Sequence, residues 1–233
     1  SCIEYAMKNN YNYIWLMDDD GFPDSSALEK LKERFDLNKN IICVSSVIVN
    51  EKKRNELVFP LPILNKFGQP VIFSRQRKFY FLDSLINRGF SFYPYAQLFN
   101  GSLISIENLK IVGNVNKDYF IFGEEVDFFW RMKKIGIVET RLDAYHYHPS
   151  VRGRKYTDIK IYYYIKNSII NNYKYLSNIK IRNLMIFIII LFRVYSRNGF
   201  IYLISLLFGT KSKFFYKAFF RGFKKKLLID HDS

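Results

Sequence analysis

A run of apolar residues near the start of the chain ends in three consecutive acids. Residues 14–17 are Ile-Trp-Leu-Met, the acids are Asp18, Asp19 and Asp20, and Gly21 follows them. A short apolar run bounded by turn residues is typical of a buried strand in a parallel sheet, and ligands bind beyond the carboxyl ends of such strands. Asp-x-Asp offers two hard oxygen ligands, so the pattern predicts a site for Mg²⁺ or Mn²⁺. A solvated acidic turn or a helix cap is the alternative, because Asp is also favoured there.

The positive charge of the chain is concentrated in its last third. Residues 1–150 carry 19 basic and 18 acidic side chains, whereas residues 151–233 carry 17 basic and 3 acidic ones. No acid lies between Asp158 and Asp230, and basic residues alternate there with Tyr, Phe, Ile and Leu. Such a composition favours an anionic partner surface. We therefore expect an α/β domain over 1–150 and a basic, aromatic-rich helical region over 151–233.

Three features bear on the compartment of the protein and on the extent of the given sequence. Cys2 and Cys43 are too few for a disulfide framework or a thiolate metal site, which favours a reducing compartment. The first residues lack the charged and apolar regions of a signal peptide. The sequence starts without Met, and residues 2–8 suit the end of a helix that precedes an internal strand. We expect it to be a fragment of a longer protein whose first strands are absent.

Apolar periodicity divides most of the first 150 residues into further helices and strands. The small residues Asn100, Gly101 and Ser102 indicate that something approaches the backbone closely at that point. The expected elements are a helix over 27–38, a strand over 41–49, loops and short strands over 50–87, a strand over 99–105, a helix over 107–113, a helix over 124–136 and a strand over 137–142.

A second acidic cluster opens the helix predicted over 124–136. Acids at a helix N-terminus complement the helix dipole, so a structural role is the alternative to a chemical one for this cluster. Further along the chain, the strand over 137–142 leads into His146 and His148. A His at a strand end is often structural, but an Asp-x-Asp site needs a third protein ligand, and His is the commonest.

These segments occur in the order found in the family 2 glycosyltransferases of the GT-A fold. The chain resembles that family, especially the bacterial galactofuranosyl- and rhamnosyltransferase-like enzymes of surface polysaccharide assembly. The resemblance is carried by residues 13–23, 99–105 and 120–131 and by His148, with a weaker match over 162–167. It implies the Rossmann-like mixed α/β sheet of the nucleotide-diphospho-sugar transferases, followed here by the basic helical appendage.

The resemblance implies a metal-dependent donor site. Asp18, Asp20 and His148 would hold Mn²⁺ or Mg²⁺, and His146 is a less favoured substitute for His148. Asp19 would lie near the nucleoside or the sugar of a UDP- or dTDP-linked donor.

The resemblance also implies an inverting transfer, in which a carboxylate removes the proton of an acceptor hydroxyl. Glu125 would be this base. Many relatives carry Asp-Asp-x-Glu where this chain has Glu-Glu-Val-Asp, so Glu124 and Asp127 remain alternatives. We expect the acceptor to be a saccharide or a lipid-linked sugar. The residues expected to contact it are Asn100, Gly101 and Trp130.

Basic residues shortly after the second of these histidines complete the expected site. Arg152, Arg154 and Lys155 come shortly after His148 and would fold over the donor diphosphate as a lid. A solvated basic loop is an equally good interpretation. Lys166 stands where the family often has Arg, so a bidentate phosphate contact would be lost if this residue binds phosphate.

The last part of the chain is expected to lie on a membrane surface. Residues 184–192 and 200–208 are apolar, but each is shorter than the roughly 20 residues that a transmembrane helix needs. Residues 211–226 alternate basic and aromatic positions in the pattern of an amphipathic helix on an anionic membrane, with ordinary core packing as the alternative. We expect a cytoplasmic protein bound peripherally to the inner face of the plasma membrane, with no nucleic acid partner. The basic face comprises Lys213, Lys217, Arg221 and Lys224, and the apolar face comprises Phe215, Phe219, Phe220, Phe223 and Leu227.

Two other functions compete with this interpretation. The Asp-x-Asp-Gly start of haloacid-dehalogenase-like phosphatases is similar, and Asp18 would then be a nucleophile. That family expects Thr where this chain has Phe22, and a convincing later acidic motif is missing. The basic region alone is also typical of a non-catalytic protein that binds nucleic acid or another polyanion, but this leaves the acid clusters unexplained.

Overall fold

The computed structural model describes residues 2–151 and 153–227, and the chain divides into two compact units. The sheet unit contains residues 2–114 and 128–151. The helical unit contains residues 115–127 and 153–227. The segment 115–127 therefore groups with the C-terminal region and not with the rest of the first 150 residues. A catalytic role for residues 1–150 and a membrane role for residues 151–233 stay predictions.

An eight-stranded mixed sheet forms the centre of the sheet unit. Its main path runs β1-β7-β3-β4-β5, and β8 pairs with β2, β3 and β6. Within the described sheet, β3 and β8 are the parallel pair and the other pairs are antiparallel. This mixed α/β architecture is compatible with the predicted Rossmann-like fold. The strands are β1 (Tyr13–Leu16), β2 (Phe22–Pro23), β3 (Ile41–Asn50), β4 (Glu56–Pro62), β5 (Lys78–Phe81), β6 (Phe92–Tyr93), β7 (Ser102–Ser105) and β8 (Ile137–His148).

The helices predicted in the first half of the chain are confirmed. The helix α4 begins after Ser105, whose hydroxyl accepts from the Asn108 amide, and it ends at Gly113, which has a φ of 79°. The helix predicted over 124–136 ends earlier, at Lys133. The helices are α1 (Cys2–Lys8), α2 (Ala27–Leu37), α3 (Asp83–Ile86), α4 (Ile106–Val112), α5 (Glu124–Lys133), α6 (Asp158–Tyr175), α7 (Ile179–Asn198), α8 (Phe200–Phe208) and α9 (Ser212–Phe223).

The strand before the three acids forms where the sequence predicts it, but its surroundings differ from the prediction. β1 pairs antiparallel with β7, and its first three residues are half-buried. The prediction of a strand buried on both faces of a parallel sheet was therefore wrong for β1. The strand whose residues are all buried is β3, which is parallel to β8 and antiparallel to β7 and β4.

The strand predicted over 137–142 continues to His148. Its pairing with β3 shifts register between Ser46 and Val47 and resumes at Tyr145. A β-bulge of this kind lets a strand continue past an irregular segment. His146 and His148 therefore lie inside β8, two residues apart, and not beyond its end.

In the helical unit, α6 packs against α7 and α9 around an aliphatic and aromatic core. Phe215 of α9 is completely buried, and Phe219 packs against this core. The apolar face predicted for residues 211–226 is thus used in packing in part, whereas its Phe220 and Phe223 are exposed. None of the described helices has the length and apolarity that a membrane crossing requires.

Candidate functional site

Two of the three consecutive acids come together with a histidine in the sheet unit. Asp18 and Asp20 follow β1, and His148 ends β8. One potential ligand atom from each of the three residues lies within 4.8 Å of the others. The arrangement of β1 and β8 therefore assembles two carboxylates and an imidazole from segments 128 residues apart in the sequence.

The surroundings of His148 determine which ring nitrogen can bind a cation. The Nδ1 atom lies 2.6 Å from the carbonyl oxygen of Pro149, which can only accept, so Nδ1 carries a proton. The Nε2 atom lies 2.9 Å from Asp20 Oδ1. Both of these atoms present lone pairs. At this distance, a proton or a metal cation shared between them is required to offset their repulsion. The ring is thus oriented as metal-ligating histidines are, with its second nitrogen held by a backbone carbonyl.

Asp18 is exposed as a residue, and its carboxyl lies beside the side chain of Asn100. Burial raises the pKa of the Asp18 carboxyl above its ordinary value, and the nearby Asp20 carboxylate acts in the same direction. A hydrogen bond from the Asn100 side chain opposes this shift. A divalent cation would relieve the repulsion between the two carboxylates, and oxygen and imidazole ligands suit Mn²⁺ and Mg²⁺. The Asp18, Asp20 and His148 group could therefore bind such an ion.

His146 is fully buried between two glycines. Neither of its ring nitrogens has a hydrogen-bond partner within the described residues. A Cβ atom on Gly21 would overlap its Nε2 atom, and a Cβ on Gly101 would lie 3.1 Å from its Nδ1 atom. Gly101 also has a φ of 86°, which disfavours a side chain. The close approach predicted from the small residues at 100–102 is made by this imidazole.

Burial governs the charge of His146. It lowers the pKa of the ring to about 4, and the neighbouring His148 acts in the same direction. His146 is therefore a neutral packing residue at pH 7, whereas His148 is the histidine grouped with Asp18 and Asp20.

The three acids at the start of α5 have different surroundings within the helical unit. The Asp127 side chain is 2% exposed, and its Oδ1 accepts from Lys174 Nζ at 3.2 Å and from the Tyr175 hydroxyl at 2.7 Å. Glu124 has a buried Oε2 atom without a hydrogen-bond partner among residues 2–151 and 153–227, and burial raises the pKa of this carboxyl. Glu125 is half-buried. Asp127 is thus engaged by α6, while Glu124 keeps an oxygen with unused accepting capacity.

The weaker motif at 162–167 lies on α6, and the sequence analysis missed the contacts it makes. Tyr162, Tyr163 and Lys166 are buried, and Lys166 Nζ lies 4.6 Å from the centre of the Tyr163 ring. Asn167 donates to the backbone carbonyls of residues 121 and 122. The sequence signal that could have predicted these contacts was an Asn four residues after a pair of Tyr residues.

The remaining predicted site residues are distributed over both units. Asp19 is exposed in the sheet unit, and Trp130 is half-buried on α5. In the helical unit, Arg154 and Lys155 are exposed, and Arg197 donates to the Arg154 carbonyl. Arg152 lies outside the described residues. The lid over the donor stays a prediction.

Similarity to known proteins agrees with this chemistry. The chain is 29% identical over 147 residues to galactofuranosyltransferase GlfT1 of Mycolicibacterium smegmatis, which covers 62% of the chain and 46% of that protein. It is 28% identical over 151 residues to GlfT1 of Mycobacterium tuberculosis, which covers 62% of the chain and 45% of the relative. No protein-family model matches the chain.

The similarity supports a glycosyltransferase, and the matches suggest transferase activity. The matched region is less than half the length of these relatives. Substrates and the activity of the whole protein are therefore treated below as proposals.

Proposed function

We propose that this protein is an inverting, metal-dependent glycosyltransferase of the GT-A type, family 2. It would move galactofuranose, rhamnose or a similar sugar from a UDP- or dTDP-linked donor to a saccharide or lipid-linked acceptor in bacterial surface polysaccharide synthesis. The observation that carries the proposal is the grouping of Asp18, Asp20 and His148, taken with the similarity to two galactofuranosyltransferases.

In this proposal Asp18, Asp20 and His148 hold Mn²⁺ or Mg²⁺. When bound, the cation would neutralise the charge that develops on the departing nucleotide diphosphate. His148 suits the role because its Nδ1 proton is directed at Pro149 and its Nε2 lone pair is directed at the acids. Asp19 would contact the nucleoside or the sugar of the donor.

The base in this proposal is one of the acids that open α5. Glu125 would take the proton of the acceptor hydroxyl as that oxygen attacks the anomeric carbon, and attack opposite the leaving group inverts this carbon. Glu124 is the alternative, because its buried, unpartnered oxygen has a raised proton affinity. Asp127 is less suited to the role, since Lys174 and Tyr175 already occupy one of its oxygens.

We further propose that the protein lies peripherally on an anionic membrane through its helical unit. Apolar side chains on one face of α7 are exposed at helical spacing, and α8 exposes a second set. No acid occurs between Asp158 and Asp230, so the Lys and Arg side chains of this region would favour contact with an anionic lipid surface. The α7 residues are Ile181, Leu184, Ile188, Phe192 and Tyr195, and the α8 residues are Phe200, Ile201, Ile204 and Phe208.

Turnover of nucleotide sugars tests the proposal. The full protein would be incubated with a panel of UDP- and dTDP-sugars and with Mn²⁺ or Mg²⁺, alongside the variants Asp20→Ala and Glu125→Gln. Metal-dependent consumption of one donor, lost in both variants, is the expected result. Trapping of a phosphoryl group on Asp18 with no donor turnover would instead establish a phosphatase.

A further inference from the structure

One face of helix α6 contacts residues 119–127, which lead into α5 and include its first turn. The contacting residues are Asn167, Asn171, Lys174 and Tyr175, which recur at the spacing of a single helical face. Both asparagines are buried. All these residues belong to the helical unit, as does the segment 115–127 that they contact.

The two asparagines bind three successive backbone carbonyls. Asn167 Nδ2 donates to Ile121 O at 3.1 Å and to Phe122 O at 2.6 Å. Asn171 Nδ2 donates to Gly123 O at 2.9 Å, and its Oδ1 accepts from the Tyr119 hydroxyl. The carbonyls of Ile121 and Phe122 lie before the helix and accept from Asn167, whereas Gly123 O accepts both from Asn171 and from the Asp127 amide at the start of α5.

The backbone that these bonds hold has an unusual conformation. Phe122 has a φ of 59° and Gly123 a φ of 95°, so two consecutive residues adopt left-handed angles directly before α5. A non-glycine residue in this region is unfavourable by itself and persists where its surroundings determine it. A Cβ atom on Gly123 would lie 2.8 Å from the Cβ atom of Asn167, so helix and turn are also closely packed.

We infer that Asn167 and Asn171 are positioning residues that hold the left-handed turn at 122–123 and thereby set the direction of the acids opening α5. The turn ends at Gly123, and the candidate bases Glu124 and Glu125 are the next two residues. Loss of the asparagine donors releases the turn and lets the first residues of α5 shift, whereas Asp127 stays attached to Lys174 and Tyr175. The inference rests on the proposed function in that these acids supply the base.

The test uses near-isosteric changes that remove donors. Asn167→Asp and Asn171→Asp replace an amide NH₂ by a carboxylate oxygen that faces carbonyl oxygens, and the second change keeps the acceptor for Tyr119. Asn172→Asp is the matched control, because Asn172 is also buried on α6 but donates to Asn183 instead of to the turn. Tyr119→Phe removes the hydroxyl that donates to Asn171 and accepts from Lys174, and it leaves both asparagine donors in place.

Amide hydrogen exchange over residues 119–127 is the first readout, and it does not depend on activity. We expect faster exchange there in Asn167→Asp and Asn171→Asp than in Asn172→Asp, at matched global stability. The second readout is turnover with the donor found active. We expect kcat to fall by about 10²-fold in the two variants, since a misplacement of about 1 Å has that effect, with KM for the donor unchanged.

The outcomes separate the inference from the proposed function. Unchanged exchange over 119–127, or equal exchange and equal kcat loss in Asn172→Asp, would overturn the positioning role. Faster exchange in a protein that turns over no donor would leave the turn-holding role standing and count against the transferase proposal.

Discussion

The Nε2 atom of His148 lies 2.9 Å from the Oδ1 atom of Asp20. The histidine is almost completely buried, whereas the aspartate side chain is 40% exposed. A rigid ligand on a strand is thus paired with an accessible ligand on a turn. Removing the turn ligand should therefore change cation binding with little effect on folding.

Asp20→Asn should weaken Mn²⁺ binding by at least about tenfold, because it removes the charge of a ligand. Even the loss of a residue that only hydrogen-bonds to a metal ligand lowers metal affinity by about tenfold or more. Titration of the protein with Mn²⁺, followed by electron paramagnetic resonance, measures it. Asp36→Asn is the matched control, since Asp36 is an exposed acid on α2. Equal affinities in the two variants would show that the ion binds elsewhere.

Gly21→Ala should destabilise the protein by about 1–3 kcal/mol through overpacking, because the added methyl group overlaps His146. Urea unfolding measures this cost. Gly21 has an ordinary φ, so the expected effect is steric and not conformational. In a His146→Ala background the cost of Gly21→Ala should nearly vanish, and additive costs in the double variant would refute the packing explanation.

Glu125→Gln should lower kcat by about 10²–10⁴-fold and leave donor binding intact, because it removes a base without changing size. Glu124→Gln is compared in parallel, and Glu107→Gln, at an exposed acid in the first turn of α4, controls for the loss of one charge. Initial rates measured at saturating concentrations of the active donor provide kcat. A larger loss in Glu124→Gln than in Glu125→Gln would transfer the role to Glu124.

Asp158 should make the stability of the protein depend on acid pH. Burial opposes its ionisation, but hydrogen bonds from Lys211 and Tyr202 outweigh burial and hold the pKa of Asp158 below its ordinary value. The stabilisation is therefore fully present above the ordinary carboxyl pKa of about 3.9 and is lost as pH falls through the native pKa. We expect Asp158→Asn to be less stable by about 1 kcal/mol at pH 7, allowing for solvent screening, and the difference to close at low pH.

Circular dichroism of urea unfolding between pH 2 and 7 checks this dependence on Asp158. Asp118→Asn, at an exposed acid of the same unit, is the control for the loss of one negative charge. A difference between wild type and Asp158→Asn that stays constant over the whole range would contradict the assignment.

The double variant Phe192→Ser and Phe208→Ser should bind anionic vesicles at least about tenfold more weakly, since each phenylalanine moved into lipid contributes about 2 kcal/mol. These side chains are 70% and 77% exposed. Flotation with phosphatidylserine-containing liposomes measures binding. Phe67→Ser is the control, at a site 72% exposed on the sheet unit. Equal flotation of all three proteins would exclude α7 and α8 as the lipid-binding surface.

Local chemistry made part of this structure predictable. The three acids after an apolar run indicated a strand followed by a candidate cation site. The need for a third ligand led to His146 and His148, and the family resemblance favoured His148. The helices α2 and α4 followed from turn and cap residues at their ends. Each of these inferences depended on residues close together in the sequence or on ligand chemistry that is independent of the fold.

Tertiary contacts account for what the sequence did not predict. A short apolar run carries no information on the direction in which a strand pairs, so the antiparallel partner of β1 was missed. The bulge opposite Ser46 concealed the continuation of β8 to His148. The bonds from Asn167 to the turn at 122–123 join segments 45 and 46 residues apart, and only the packing of α6 reveals them.

The packing of His146 between Gly21 and Gly101 brings three distant parts of the chain into steric contact. A larger residue at position 21 requires a smaller one at position 146, whereas the positive φ of Gly101 disfavours a side chain there whatever the residue at 146. Homologues that keep the acids after β1 but carry a bulkier residue at position 21 are expected to have lost the imidazole at 146. This coordinated substitution offers a way to recognise true relatives of the chain that the acids alone do not provide.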